Sequence, residues 1–281
     1  MEQVSVIIPC FNDGKYIKEA IQSIELQTYK NIEIIICDDG STDRETLLRL
    51  EEYKKKNIKV LHLSNGGPAR ARNKGIEIAN GEYILPLDAD DKIDKTYIEK
   101  AVKIIKENDD IGVVYCYADL FGCQSGRWLL PDYSFGEMLV DNIVFVTALF
   151  RKDDWKKVGG FCEKFKHGIE DYDFWLSILE LNKKIYQIPE VLFHYRIKSI
   201  SRTTKFNGDI QALQNTYDLI YDRHKLLYKK NMDLYCKELR KTLIGRIVYI
   251  RTLEEALSLK NKINRFPKLK KILKYIYKKC F

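Results

Sequence analysis

The stretch VSVIIPCFNDGKYIKEAIQSIELQTYKNIEIIICDDGSTD (residues 4–43) decides how the chain folds. Val4–Pro9 is a short apolar run closed by a proline, which reads as a buried strand. Tyr16, Ile17, Ala20, Ile21 and Ile24 then recur at helical spacing. Ile32–Cys37 is a second apolar run, and Asp38-Asp39-Gly40-Ser41 is a turn in which Ser41 or Thr42 can cap the next helix. Outward from this stretch the alternation continues. Ile58–Leu63 is a third strand, Pro68 opens a helix to about Asn80, and Tyr83–Leu87 is a fourth strand. Strand and helix in strict turn imply parallel strands joined by crossover helices. Ligands of such sheets sit at the carboxyl ends of the strands. Those ends are Pro9–Asp13, Asp38–Ser41, Asn65–Gly67 and Asp88–Asp91, and three of the four carry aspartates.

Beyond a helix at Thr96–Glu107 the pattern changes. Val113–Tyr117, Arg127–Leu130 and Ile143–Phe150 read as strands without helical spacers, so the sheet is expected to become mixed. A helix begins near Glu170, short strands follow at Lys184–Ile188 and Leu192–Arg196, and from about Gly208 the chain is mostly helical. The expected class is α/β: a mixed, mostly parallel sheet flanked by helices, with a helical C-terminal extension. The expected division is a catalytic domain over 1–205, with halves 1–92 and 93–205, and a basic extension over 206–281.

The 281 residues suffice for one substantial core, and 45% hydrophobic against 31% charged residues speaks for a globular chain. No apolar run is long enough to span a membrane. The opening MEQVSVIIPC has no basic segment before a long apolar stretch, so a cleaved leader is not expected. Seven scattered cysteines without a CxxC read as buried thiols in a reducing cytosol. Nine of the positive charges and no acid lie between Lys260 and Phe281, so a net charge of +8 leaves −1 for the rest. Nucleic acid is therefore not an expected partner.

Residues two apart on an extended chain point the same way, so Asp88 and Asp90 can aim at one point. Like charges held close need a counter-charge. Helix capping accounts for Asp94 and for Asp91, but not for a cluster at a strand end that topology already marks. A hard cation, Mn²⁺ or Mg²⁺, takes one or two carboxylates and fills its shell with phosphate oxygens. Asp39 can accept from the N–H of a pyrimidine ring, or make an Asx-turn. Phe11 can stack on a base, or serve the core. In GGPARARN (66–73), Arg70 and Arg72 at a helix start suit phosphate oxygens, or are solvated. Glu170 and Asp171 open a helix whose apolar face is Ile169, Tyr172, Leu176 and Leu179. A carboxylate there can take a proton from an attacking hydroxyl; the alternative is two ordinary first-turn acids.

Residues 4–43, ARNKGIEIANGEYILPLDADD (71–91), VGGFCEKFKHGIEDYDFWLSILEL (158–181) and IPEVLFHYR (188–196) together resemble the glycosyltransferase family 2 proteins of GT-A fold, over roughly residues 3 to 203. The resemblance implies transfer of one sugar from a nucleotide-diphosphate sugar, a UDP-sugar by preference, to an acceptor hydroxyl with inversion. It implies that Asp39 reads the base, that Pro9, Phe11 and Asp13 form the first nucleoside-binding turn, and that Asp88 and Asp90 are the DxD pair with Asp90 the direct metal ligand. Asp171 matches the general base, and Glu170, Trp175 and Arg196 are expected on the acceptor side. Surface polysaccharide synthesis on a lipid-linked saccharide is the expected setting, at the cytoplasmic face of the cell membrane. A sugar nucleotidyltransferase and a catalytically silent member acting as a binding partner are the alternatives.

QSGRW (124–128) fits the QxxRW signature of processive members, but it precedes Glu170 and sits between glycine turn signals, so it reads as a chance match in a hairpin. Where relatives carry YRxH, this chain has Tyr195-Arg196-Ile197-Lys198, which puts a third metal or phosphate contact in doubt while leaving Arg196 and Lys198 able to bind phosphate. After Pro267, Leu269, Ile272, Leu273, Ile276 and Cys280 share one helical face with lysines largely away from it. The pattern is that of an in-plane helix on an anionic membrane, with 260–281 as the anchor. Packing on the catalytic domain or on a second subunit, as in a homodimer, is the alternative.

Overall fold

The computed structural model describes residues 2–165, 168–199 and 209–264, with side chains placed as far as 258. The basic segment 265–281, on which the membrane-helix reading rests, lies outside the described residues. Two compact units divide the chain, Met1–Lys230 and Asn231–Phe281.

The first unit opens with β1 (Val4–Cys10), α1 (Ile17–Glu25), β2 (Ile32–Asp38), α2 (Arg44–Lys55), β3 (Lys59–His62), α3 (Pro68–Ile78) and β4 (Tyr83–Pro86). β1 pairs in parallel with β2 and β4, and β2 in parallel with β3. The apolar runs of β1 and β4 are buried because helices cover the sheet faces. α3 comes close enough that a Cβ on Gly75 would lie 2.5 Å from Cys37 Sγ and 2.7 Å from Ile7 Cγ2, so glycine sets the helix-to-sheet spacing. The cap of α2 is Asp43, whose carboxylate accepts from Thr46 N–H at 2.8 Å, rather than Ser41 or Thr42.

The second part runs β5 (Lys92–Ile93), α4 (Tyr97–Glu107), β6 (Ile111–Gly122), β7 (Gly126–Arg127), α5 (Phe135–Val140), β8 (Leu149–Arg151), α6 (Lys152–Val158), α7 (Glu170–Glu180) and β9 (Lys184–Ile197). The described strands form one mixed sheet, β3-β2-β1-β4-β8-β6-β9-β5, with β7 paired to β6 as the expected hairpin. Three sequence readings change. Residues 143–148 are not strand; only 149–151 pair, with β4 and β6. Residues 128–130 leave the sheet after Arg127. The two strands expected over 184–196 are one long β9 that carries Pro189 through a shift of register opposite Cys116 and Tyr117.

The chain continues through α8 (Ile210–Arg223) and α9 (Lys225–Lys230). Arg223 and His224 pair with the buried Asp173 of α7, so the compact unit carries on past residue 205 to Lys230. The second unit contains α10 (Met232–Asn264), which leaves Leu243, Ile250 and Leu257 exposed at heptad spacing. No described helix is long and apolar enough to cross a membrane.

Candidate active site

The carboxyl ends of β1, β2 and β4 open into a cleft of about 460 Å³. Pro9, Phe11, Asp13, Asp39, Asp88 and Asp90 all line it, with Arg72, Tyr195, Arg196 and Lys198 opposite. Phe11 is 46% exposed, which leaves its ring face open to a flat ligand. Asp39 is buried, and its two oxygens accept from Gly66 N–H and Gly67 N–H, each at 2.8 Å. It thereby fixes the loop before α3, and each oxygen keeps a second lone pair. Gly67 stands at φ +89 as the cap of α3, a conformation that favours glycine.

The two arginines of GGPARARN part company. Arg70 turns away from the cleft and donates to the carbonyl and hydroxyl of Ser64, at 2.7 and 3.0 Å. Arg72 is enclosed. Its Nη2 donates to Asp88 Oδ1 and its Nη1 to Glu170 Oε1, both at 2.7 Å. Burial alone would lower the guanidinium pKa, but Asp88 and Glu170 outweigh it and hold the charge firmly in place. Arg72 thus joins the end of β4 to the start of α7, two segments far apart in sequence.

Asp90 also has a cationic partner. Lys198 Nζ lies 2.6 Å from Asp90 Oδ2 and 3.1 Å from Asp13 Oδ1. Burial opposes the ammonium, yet Asp90 and then Asp13 keep it charged. Asp91 is not a helix cap. It is buried, accepts from Arg196 N–H at 2.8 Å, and has its carboxyl pushed well up by burial and by Asp90 and Asp88. Arg196 Nε donates to the Asp90 carbonyl at 2.7 Å, and its guanidinium lies over Tyr16 and Phe121. Asp88 and Asp90 are oxygen donors of the kind a hard cation takes. As arranged, however, each is neutralised by a protein cation, and no group of three or more potential ligands occurs among the described residues. The side chains as they stand do not fit a divalent ion at Asp90 unless the ammonium leaves.

A second cavity, of about 290 Å³, adjoins the first, and Arg72, Asp88 and Tyr195 line both. Its walls include Trp128, Leu130, Asn142, Phe145, Ile169, Asp171 and Tyr217. The rings of Trp128 and Tyr195 lie 4.7 Å apart and tilted by 32°. Asp171 keeps part of its surface open to the cavity but is otherwise packed in protein. Burial raises its carboxyl from 3.8 to about 7, and the neighbouring Glu170 charge adds to the rise. Arg72, the Tyr172 N–H and the Asn142 side chain oppose it. The result is a carboxylate that can take a proton near neutral pH.

Ile169 is not part of the α7 apolar face. It is the cap residue, in the left-handed conformation at φ +58 and ψ 20. A β-branched side chain there is strained by about 1–3 kcal/mol, and such strain clusters at functional sites. Trp175, expected on the acceptor side, lines neither cavity. Its indole is fully buried and donates to the Val144 carbonyl at 3.0 Å, so it holds the 143–148 loop from behind. Trp128, Tyr195 and Asn142 line the cavity although sequence assigns none of them a site role: Trp128 ends the QSGRW stretch that reads as a chance match, and Tyr195 figures there only beside Arg196. The Gly-flanked hairpin carried the signal for Trp128, whereas the side-chain contact of Asn142 with Asp171 has no local signature.

The family model described as glycosyl transferase family 2 matches residues 5–185. An uncharacterized glycosyltransferase of Rickettsia typhi is 34% identical over 213 residues, covering 71% of this chain and 65% of its own length. Glycosyltransferase GlyG of Streptococcus pneumoniae is 41% identical over 160 residues, covering 55% and 52%. The chain thus spans about two thirds or less of these relatives. Among solved structures, S. aureus TarS 1–349 in complex with UDP-GlcNAc is similar at a TM-score of 0.65 and 25% identity, covering 79% of this chain and 66% of that one. A mannosyltransferase from Pyrobaculum calidifontis, in complex with GDP-Man and Mn²⁺, shares the fold at a TM-score of 0.58 and 17% identity, covering 95% and 84%.

Proposed function

The chain belongs to glycosyl transferase family 2, and from that membership we propose that it transfers one sugar from a UDP-sugar to the hydroxyl of a saccharide acceptor, with inversion. The observation that carries this is the junction of two cavities at Asp88 and Arg72, with Asp171 on the far side. A donor in the first cavity places its nucleoside against Phe11 and Asp39 and its diphosphate among Asp13, Asp90, Arg196 and Lys198. The sugar then lies toward the second cavity. UDP is favoured because the TarS structures hold UDP and UDP-GlcNAc, and because Asp39 oxygens can accept from a uracil N–H.

The acceptor hydroxyl enters beside Trp128 and Tyr195, whose ring faces suit the C–H face of a sugar. Asp171 takes the hydroxyl proton as the oxygen attacks the anomeric carbon, and the diphosphate leaves from the opposite face. One displacement inverts the centre. Asn142 and the Tyr172 N–H orient the carboxylate, and Arg72 fixes its neighbour Glu170. For Mn²⁺ or Mg²⁺, the sequence offers Asp88 and Asp90, but Arg72 and Lys198 already pair with them.

A lipid-linked acceptor and a place at the cytoplasmic membrane surface are proposed from sequence alone, from the nine cations and the apolar face within 260–281. A screen of nucleotide sugars by thermal shift, followed by nucleotide release with saccharide acceptors, tests the main reading. A UDP-sugar is expected to stabilise the chain, and release of UDP is expected to require the acceptor. Stabilisation by no nucleotide sugar, or pyrophosphate release from a nucleoside triphosphate and a sugar phosphate, would overturn it.

A further inference from the structure

We propose that Lys198 is a tethered cation for the donor diphosphate, standing where the sequence suggests a divalent metal, so that this chain holds a nucleoside diphosphate without Mn²⁺ or Mg²⁺. The inference rests on the donor-site reading above. Asp13, Asp88 and Asp90 line the same cleft, and a diphosphate adds further negative charge to it. Like charges held close repel, so the cleft needs cations before it can take such a ligand. Arg72 supplies one to Asp88, but Glu170 shares it. The ammonium between Asp13 and Asp90 is a second, while Arg196, which also lines the cleft, is paired with Glu19.

Its position is fixed by the fold. β9 ends at Ile197, one residue earlier, and β9 pairs with β6 as far as Gly122. Immediately before that end, Arg196 N–H is held by the buried Asp91 and Arg196 Nε by the Asp90 carbonyl. The backbone carrying Lys198 is therefore tied to the Asp88–Asp91 turn itself. Two of the three N–H donors of an ammonium meet Asp90 and Asp13, and the third is available to a phosphate oxygen. Lysine binds phosphate as a compact point charge, which is the work otherwise done by a metal ion here. A divalent ion bound at Asp90 would face this ammonium as a like charge at contact distance. Metal and lysine thus compete for one place.

The test is calorimetry of UDP binding to the full chain in EDTA and in Mn²⁺, together with Mn²⁺ binding alone by electron paramagnetic resonance. For the unaltered chain, UDP affinity in EDTA is expected within about threefold of that in Mn²⁺, with little Mn²⁺ bound in the absence of nucleotide. Lys198→Ala is expected to lose about tenfold or more of its UDP affinity in EDTA, to recover it in Mn²⁺, and to bind Mn²⁺ alone. Lys198→Arg keeps the charge and is expected to retain metal-free binding; it also serves if the alanine variant does not fold, as judged by thermal unfolding. A gain of about tenfold or more for the unaltered chain on adding Mn²⁺ would overturn the inference and leave the donor site standing. Undiminished metal-free binding by Lys198→Ala would likewise overturn it. Failure to bind any nucleoside diphosphate in either buffer would overturn the donor-site reading, and this inference with it.

Discussion

The two cavities differ in how they treat acid. In the first, Asp88 meets Arg72, Asp90 and Asp13 meet Lys198, and Asp39 is bonded to two backbone N–H groups. In the second, Asp171 has Glu170 beside it, and Arg72, whose charge opposes the rise of its carboxyl, is bonded to Glu170 and Asp88. Carboxylates that each meet a shared cation or backbone N–H groups shape a place for a charged ligand. A carboxylate that is desolvated beside another acid becomes basic. On the proposed reading, the same residue type serves binding on one side of Arg72 and proton transfer on the other.

The largest expected effect breaks this comparison on its basic side. Asp171→Asn should lower kcat by about 10² to 10⁴ and leave UDP affinity nearly unchanged, because it removes the proton acceptor and touches no donor contact. Steady-state kinetics beside UDP calorimetry would check it; loss of UDP affinity with kcat preserved would reverse the roles of the cavities. The intact chain adds a pH dependence. Asp171 must be ionised to act, and its carboxyl sits at about 7, so kcat should rise about tenfold per pH unit below 7 and level off above. For stability the sign is the reverse. The folded chain holds this proton more tightly than the unfolded one, so this group's contribution to stability falls as pH rises from about 4 through about 7.

Arg72→Met strikes both cavities at once. It takes the guanidinium away from Asp88 and from the buried Glu170, which should cost about 3–5 kcal/mol in denaturant unfolding. A loss below about 1 kcal/mol would mean that water or another cation replaces the guanidinium, and that the two sides are not bound through it. The smallest effect belongs to the acceptor wall. Trp128→Ala should raise acceptor KM by about threefold to tenfold, in keeping with roughly 0.5–1.5 kcal/mol for a lost aromatic face, with donor KM steady. An equal change in both constants would place Trp128 in the scaffold.

How much of this was legible in the sequence follows from how local each cause is. β1, β2 and β4 show as apolar runs because both sheet faces are covered, and their ends mark the cleft. The sheet class and the GT-A character follow from that alternation and from the matched motifs. Residues 143–148 misread as strand because a loop packed over Trp175 is as apolar as a strand. β9 read as two pieces because Pro189 and Glu190 interrupt the run, whereas the chain crosses them by shifting register. Arg72 and Lys198 find carboxylates far along the chain, and no spacing rule reaches that distance. Asp171 could be named by its motif, but its raised carboxyl depends on burial that only the packed fold supplies.

Ile169 turns this arrangement into an engineering constraint. Its left-handed backbone would be relaxed by glycine, which reaches positive φ without the strain a β-branched side chain meets there. Yet its side chain walls the cavity that holds Asp171, and the same turn aims the first residues of α7. Glycine at this position would therefore exchange strain in the turn for a looser wall beside Asp171.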